Sequence, residues 1–390
     1  MKANLCRTEV PVLWPKEAQD IPMAISVVNA IKKKVIRKGR VVKIFDNHEE
    51  LISQTSVNRA IIIIGTESSQ MMSILRALSI AEIQSVITTM DIDHIGSHYY
   101  CATFSRRTAT EQLLDFLMGK GCRSFAMLGC GNRSANDLIH CSAMEVYSKR
   151  DTQINCQYFF YHDKIEESFE AFFMKYSEFD AVLCPNDFVA VAFLSYCEKK
   201  GLSVPEDFLL ASFKDTLLSR CCQPSLTTMS VDYNAIGESA VMLWFYLQDA
   251  HTKKNKMRIT VPSIVVERET TNRNIVVSQL ESKLPFGEIT YQGGPFYSEP
   301  IMKNLMLIER CLQRCDPLDF RIIDRLIKMQ KYESICEELF LSESTLQYRV
   351  RQIFLEAHVP NRDAFLKLIT SCFPLNSNFE KEGKVKEMER

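Results

Sequence analysis

The groups in this 390-residue chain that could hold a metal or move a proton are seven histidines, 14 cysteines and 48 acidic side chains. The densest set is Asp91, Asp93, His94 and His98, chemically able to bind a metal, but it follows an apolar run into a loop, where solvated polar residues are expected. Cys311 and Cys315 stand four apart, as on one helix face, yet no neighbouring histidine or cysteine pair completes a tetrahedral set. No CxxC occurs, and the vicinal Cys221 and Cys222 are the only other local cluster. The cysteines therefore read as free, buried thiols, and neither a metal nor a cofactor is expected. Glu166 and Glu167 are adjacent on a helix and do not face each other. The chain carries no Walker P-loop, GxGxxG, GxSxG elbow, HExxH or DxDxDG loop. Convergent sites need no signature, but the expectation is a protein that is not an enzyme.

A different chemistry is concentrated between Tyr332 and Ile353. Ile335 and Leu339 lie four apart on one helix, Leu341 fills the turn, and Ser342 stands where an N-cap belongs. The next helix carries Leu346, Val350 and Ile353 on its inner stripe and presents Ser344, Gln347, Tyr348 and Arg351 on the opposite face. From Ser344 to Leu355 there are two arginines, Arg349 and Arg351, both expected among the DNA-binding residues, and no acid. Ser344 and Thr345, at the helix start, suit a phosphate oxygen. Glutamine and arginine are the types that read adenine and guanine edges in the major groove. Two short helices joined by a tight turn, the second polar and basic outside, describe a DNA-binding helix-turn-helix. The same periodicity also fits a structural helical hairpin.

The elements that position these residues fall into two regimes. From about residue 10 to 278, short apolar runs alternate with helical patterns. Strands are expected at Val10–Trp14, Val41–Phe45, Ala60–Ile64, Ser85–Thr89, Ser124–Leu128, Asn155–Phe160, Ala181–Cys184 and Phe208–Phe213, with helices between them. Such alternation means parallel sheets covered on both faces, and eight or more βα units imply two doubly wound lobes rather than one small sheet. Asn274 to Glu299, with Pro285, Gly287, Gly293, Gly294 and Pro295, reads as a linker. Beyond it helices are expected at Pro300–Arg314, Asp319–Met329, Tyr332–Phe340, Ser344–Phe354 and Arg362–Phe373, and the Glu/Lys-rich end as a solvated tail. Met1 to Trp14 lacks the apolar core of a signal peptide. Ala60–Ile64 is too short to span a bilayer. With reduced cysteines, this places the chain in the cytoplasm without a membrane partner. The net charge of -1 gives no overall basic footprint, so any nucleic-acid site must be local.

Leu341-Ser342-Glu343-Ser344-Thr345-Leu346-Gln347-Tyr348-Arg349-Val350-Arg351-Gln352-Ile353 resembles the recognition segment of LuxR-type helix-turn-helix domains, and Val359-Pro360-Asn361-Arg362 resembles the entry to that family's last helix. The resemblance covers about Asp316 to Phe373. It implies binding to double-stranded DNA, usually as a dimer, with base contacts at the positions matched by Gln347, Tyr348 and Arg351. That family often has lysine at the Gln347 position and histidine at the Arg349 position.

A second cluster runs through Asp180–Ala190, Gly201–Asp207, Leu210–Asp215, Pro224–Thr228 and Val261–Thr271. Asn186-Asp187 ends an apolar strand and caps a helix, at the carboxyl edge where open α/β sheets bind ligands. Taken together the five segments resemble the sensor core of lactose/galactose-repressor-type regulators, a periplasmic-binding-protein-like type I fold, over about residues 10 to 275. The resemblance implies hinged lobes closing over a small ligand, chain crossings near Phe104, Val231 and Met257, and a homodimer through the lobes. Two departures stand out. That family carries its helix-turn-helix before the core, whereas here only about nine residues precede the first strand and the C-terminal helices take its place. The ligand positions are also altered: the sugar-clamping arginine falls at Ile139, the sugar-binding acid at Lys214, the stacking aromatic near Asp163, and only Asn186 keeps the usual residue. Either the effector differs from a neutral sugar, with Lys214 pointing to an anionic one, or the pocket is vestigial.

The expected architecture is thus an α/β ligand-sensing domain of two doubly wound lobes (1–278), a linker (279–299), an all-α helix-turn-helix domain (300–373) and a charged tail (374–390). The expected function is a ligand-responsive, DNA-binding transcription regulator. The alternative is a cytoplasmic small-molecule receptor whose C-terminal helices contact a protein.

Overall fold

Two mainly parallel sheets organise the first 272 residues of the computed structural model, which describes residues 8–19, 22–55, 59–65, 69–91, 99–131, 134–150, 153–248, 256–272 and 299–373, together with 379 and 382. The first sheet is built from β1 (Glu9–Leu13), β2 (Val41–Phe45), β3 (Ala60–Ile64), β4 (Gln84–Thr88), β5 (Tyr100–Thr103) and β11 (Arg258–Thr260), in the order β11-β5-β4-β3-β1-β2. The second uses β6 (Ser124–Gly131), β7 (Asn155–Tyr161), β8 (Ala181–Leu183), β9 (Leu209–Phe213), β10 (Thr227–Val231) and β12 (Ser263–Val266), in the order β12-β10-β9-β8-β6-β7. The central strands are buried on both faces, which is why β3 can be Ala-Ile-Ile-Ile-Ile and β9 Leu-Leu-Ala-Ser-Phe without alternation. Helices α2 (His48–Gln54), α3 (Ser69–Ile80), α4 (Arg106–Gly119), α5 (Ala135–Ser148) and α6 (Glu166–Phe173) join successive strands.

The chain divides into two compact units, and among the described residues it crosses between them after Ala109, Ser230 and Ile264. The expected crossing near Val231 falls at that residue, and the other two lie several residues beyond Phe104 and Met257. In the first unit, α1 (Pro22–Arg37) lies against α9 (Tyr233–Tyr246). Gly237 permits this, since a Cβ there would come within 2.5 Å of the Val27 carbonyl. Trp244, fully buried in the same core, donates its indole N–H to the Ala60 carbonyl at 2.7 Å.

The second unit holds α7 (Asp187–Lys200) and α8 (Leu217–Cys221) together with five C-terminal helices: α10 (Pro300–Arg314), α11 (Pro317–Ile327), α12 (Tyr332–Leu339), α13 (Glu343–Glu356) and α14 (Arg362–Cys372). The C-terminal helices lie against the second lobe: α10 packs on α7 and α8, and α14 on α7. Every residue of α7 from Asp187 to Ser195 is consequently buried, including the side that would otherwise face solvent. Of the expected linker only Glu299 is described. In the expected solvated tail, Phe379 is fully buried against Phe373 with ring centroids 5.5 Å apart, so the solvated reading does not hold at that residue.

Candidate functional site

The C-terminal pair is shaped by local chemistry. Phe340 closes α12 in a left-handed conformation (φ 54°, ψ 45°), and Ser342 then caps α13 by accepting from the Thr345 amide at 3.2 Å. Ile335 and Leu339 on α12 and Leu346, Val350 and Ile353 on α13 are buried, which fixes the outward face of α13. Ser344, Thr345, Gln347, Tyr348 and Arg351 all lie exposed on it, as expected from the spacing. Gln347 donates to Glu343 at 2.9 Å, which aligns its amide along the helix.

Arg349 does not join that face. Its guanidinium donates to Asp316 at 3.0 Å and to Asp319 at 2.7 Å. Those two acids form a reciprocal capping box at the start of α11, which Pro317 begins two residues earlier than the periodicity predicts. Arg349 is therefore a clamp between α13 and α11. The residues resembling the family's entry to the last helix are also structural. Asn361 caps α14 through the Ala364 amide, and Arg362 donates to the carbonyls of Leu326 and Gln330.

The four candidate ligand residues follow the carboxyl ends of parallel strands in one sheet: Ile139 on α5 after β6, Asp163 after β7, Asn186 after β8 and Lys214 after β9. Their states differ. Ile139 is buried, Asp163 exposed, and Asn186 buried with its side-chain oxygen accepting from the Val189 amide at 3.1 Å. Lys214 has φ 119°, a region that disfavours any side chain, and Asp215 after it has φ 55°.

Beneath this edge lies a polar network. Asp187, fully buried, accepts from Ser212 Oγ (2.5 Å), the Thr216 amide (2.6 Å), Thr216 Oγ1 (2.9 Å) and Thr228 Oγ1 (2.8 Å). Burial pushes its carboxyl above the ordinary range while these donors oppose the shift. Asp215 has the reverse balance: burial works against its charge, but Arg268 at 2.5 Å and Arg220 at 3.1 Å outweigh it and hold the carboxyl low. His140, beside Ile139, bonds Thr110 at 2.7 Å and lies over the ring of Phe213, centroids 4.1 Å apart.

The metal candidate in the first unit is only partly described. Asp91 is buried and accepts from the Arg106 amide at 2.8 Å and its guanidinium at 3.3 Å, whereas Asp93, His94 and His98 lie outside the described residues. Among the described residues no group of three His, Cys, Asp or Glu is placed to hold a metal, and Cys315 donates its thiol to the Cys311 carbonyl. Among the described residues no helix is long and apolar enough to cross a membrane.

Sequence reasoning missed two acids, Glu299 and Glu309, which seat α10 on the second lobe. Glu299 accepts from the Ile165 amide before α6 at 2.7 Å, and Glu309 from the Leu217 and Leu218 amides of α8 at 3.0 and 2.8 Å. A signal existed for the second. Leu305, Ile308, Glu309 and Leu312 share the buried stripe of α10, so an acid occupies an apolar position of the helical period.

Residues 114–271 match the family model described as a periplasmic binding protein-like domain. The catabolite control protein A of Staphylococcus epidermidis is 26% identical over 237 residues, covering 59% of this chain and 68% of that protein. Among solved structures, the complex of transcriptional regulator CelR with cellobiose superposes with a TM-score of 0.54 at 13% identity, covering 69% of this chain and 86% of that one. A LacI family transcriptional regulator from Silicibacter pomeroyi gives 0.52 at 19%, covering 68% and 100%. The lobes thus have the two-lobed α/β fold of these structures, and the similarity in sequence is to a transcription regulator.

Proposed function

We propose that this chain is a ligand-responsive, DNA-binding transcription regulator, in which the two lobes sense a small molecule and α12–α13 form the helix-turn-helix. The single observation that carries the reading is the outward face of α13. It is exposed and acid-free from Ser344 to Leu355, and is capped at its start by Ser342. In this reading Ser344 and Thr345 meet phosphate, and Gln347, Tyr348 and Arg351 meet base edges. Arg349 holds the frame, and two copies of the chain in the cytoplasm engage one duplex.

The likeness to a cellobiose-bound regulator favours a polar effector at the carboxyl edge of the lobes. Lys214 in place of the expected acid favours one carrying negative charge. Titrating the full chain against DNA fragments across a salt series tests the reading, because phosphate contacts release counterions and affinity falls as salt rises. Arg351→Ala is expected to cost about 1–3 kcal/mol at a selected site. Wild-type affinity in that variant removes Arg351 from the interface. Binding of no fragment at any salt concentration, with a protein captured instead, favours the receptor reading.

A further inference from the structure

Glu309 is an acid in the middle of a helix, 1% exposed, with three donors on its two oxygens. Oε1 accepts from the Leu217 amide at 3.0 Å and from Gln313 Nε2 at 2.8 Å, and Oε2 accepts from the Leu218 amide at 2.8 Å. An apolar residue in the stripe of Met302, Leu305, Ile308 and Leu312 would hold α10 against the lobe without desolvating a carboxyl group. What the acid adds is position, because its oxygens fit one placement of α10 relative to two particular amides.

Those amides belong to the segment that starts at the ligand edge. Leu217 is three residues past Lys214. The residue between them and Asp215, Thr216, is held by Asp187 at the head of α7 through both its amide and its hydroxyl. On the other side, Cys311 lies two residues past Glu309 and donates its thiol to the Ile353 carbonyl of α13 at 3.5 Å. A chain of contacts therefore runs from residues 214–218 to Glu309 on α10, along α10 to Cys311, and from Cys311 to the helix proposed to read DNA, beside the packing of α10 on α7 and α8.

We propose that Glu309 is a positioning residue that couples the conformation of the 214–218 segment to the placement of α13. The functional meaning rests on the reading of the ligand edge and of α13 given above, but the coupling is measurable without DNA or effector. Hydrogen exchange by mass spectrometry on the full chain is the experiment, comparing wild type, Glu309→Gln, Glu309→Ala and Lys214→Gly. Glu309→Ala should raise exchange at least tenfold both in 217–221 and in 343–356, and Glu309→Gln, which keeps one acceptor, should raise it less in both. Lys214→Gly, which frees a backbone held at φ 119°, should also alter exchange in 343–356, and that effect should be diminished in the Glu309→Gln background.

Exchange that rises in 217–221 while 343–356 stays at the wild-type rate overturns the proposal, as does an undiminished Lys214→Gly effect in the double variant. Should Glu309→Ala not fold, Glu309→Gln and the double variant decide alone. A wild-type chain that binds no DNA while the exchange coupling is present overturns the functional reading and leaves the coupling standing. Normal DNA binding without exchange coupling does the opposite.

Discussion

Replacing Arg349 with methionine separates a framework role from a DNA contact, since methionine keeps most of the apolar stem and removes only the guanidinium. The side chain is 27% exposed, and its partners Asp316 and Asp319 are 30% and 16% exposed, so the network lies between a surface ion pair and a buried one. Exposed pairs contribute about 0–1 kcal/mol, whereas breaking a buried pair costs about 3–5 kcal/mol. Two charge-assisted hydrogen bonds at this partial exposure place the loss at roughly 1.5–2 kcal/mol. Part of that loss is the mutual repulsion of two acids left facing each other in the capping box of α11. Since about 1.4 kcal/mol is a factor of ten in an equilibrium, amides of α11 and α13 that exchange by opening this contact should exchange about ten- to thirtyfold faster. DNA affinity measured where the variant stays folded should change by less than threefold. Arg351→Ala should give the inverse pattern, with stability within about 0.5 kcal/mol of wild type. If Arg349→Met leaves exchange unchanged while DNA binding weakens tenfold, the clamp assignment is wrong and the guanidinium is reading the duplex.

Three further outcomes follow from particular contacts. Asp187→Asn should destabilise the second unit by about 2–4 kcal/mol, because an amide offers one acceptor oxygen where four donors converge and the Thr216 N–H cannot rotate away; a denaturation midpoint displaced by the equivalent of under 1 kcal/mol, at constant slope, contradicts this. Burial raises the Glu309 carboxyl to about 7 against an ordinary 4.5, with the Leu217 and Leu218 amides opposing, so its folded value exceeds its unfolded one. Its contribution is then complete below pH 4.5 and is lost as pH rises through 7. Stability of this unit should therefore fall across that window by up to roughly 3 kcal/mol, and Glu309→Gln should flatten the profile; an unchanged profile in the variant rules the group out. Phe340 is 95% exposed in a left-handed conformation, so Phe340→Gly should raise the thermal midpoint by the equivalent of about 0.5–1 kcal/mol, while a lower midpoint would mean that the ring packs against something.

The sheets were legible because buried parallel strands announce themselves as apolar runs. Ala60–Ile64 coincides with a fully buried strand and Val41–Phe45 with an edge strand that is apolar though largely exposed or half-buried, and most other expected boundaries fall within two or three residues. Elements that escaped notice lack such a signal. β5 is only Tyr-Cys-Ala-Thr, and α9 is apolar on so much of its surface that no amphipathic period stands out. β11 and β12 are three and four residues long and depend on their neighbours for definition. The docking of α10 and α14 was not legible as a whole, because α7 reads as an ordinary apolar helix whether its outer side meets water or protein.

The candidate site was legible to the extent that it depends on local period. Ser342 as cap, the inner stripe and the exposed Gln347, Tyr348 and Arg351 follow from spacing alone. Arg349 shows the limit of that approach. It is three residues past Leu346 and one before Val350, which sets it at the border of the inner stripe, and its partners are thirty and thirty-three residues away in sequence. Counting both arginines of the acid-free stretch as cations for DNA therefore overstates the charge available. Between Pro300 and Phe373 there are 11 basic and 10 acidic residues, a net of +1. Within that count Arg349 is committed to Asp316 and Asp319, Arg314 to Glu356, Lys328 to Asp324, and Arg325 to Asp324 and Glu338. Each phosphate neutralised contributes about 0.9 to the slope of log affinity against log salt. A recognition face with Arg351 as its principal cation should give a slope of only about −1 to −3 per copy, so a single copy gains little from non-specific attraction. On the proposed reading, useful affinity has to come from base contacts and from two copies acting on one duplex. That is why a device such as Glu309, which fixes where α13 stands relative to its own lobe, would matter more here than in a chain with a strongly basic arm.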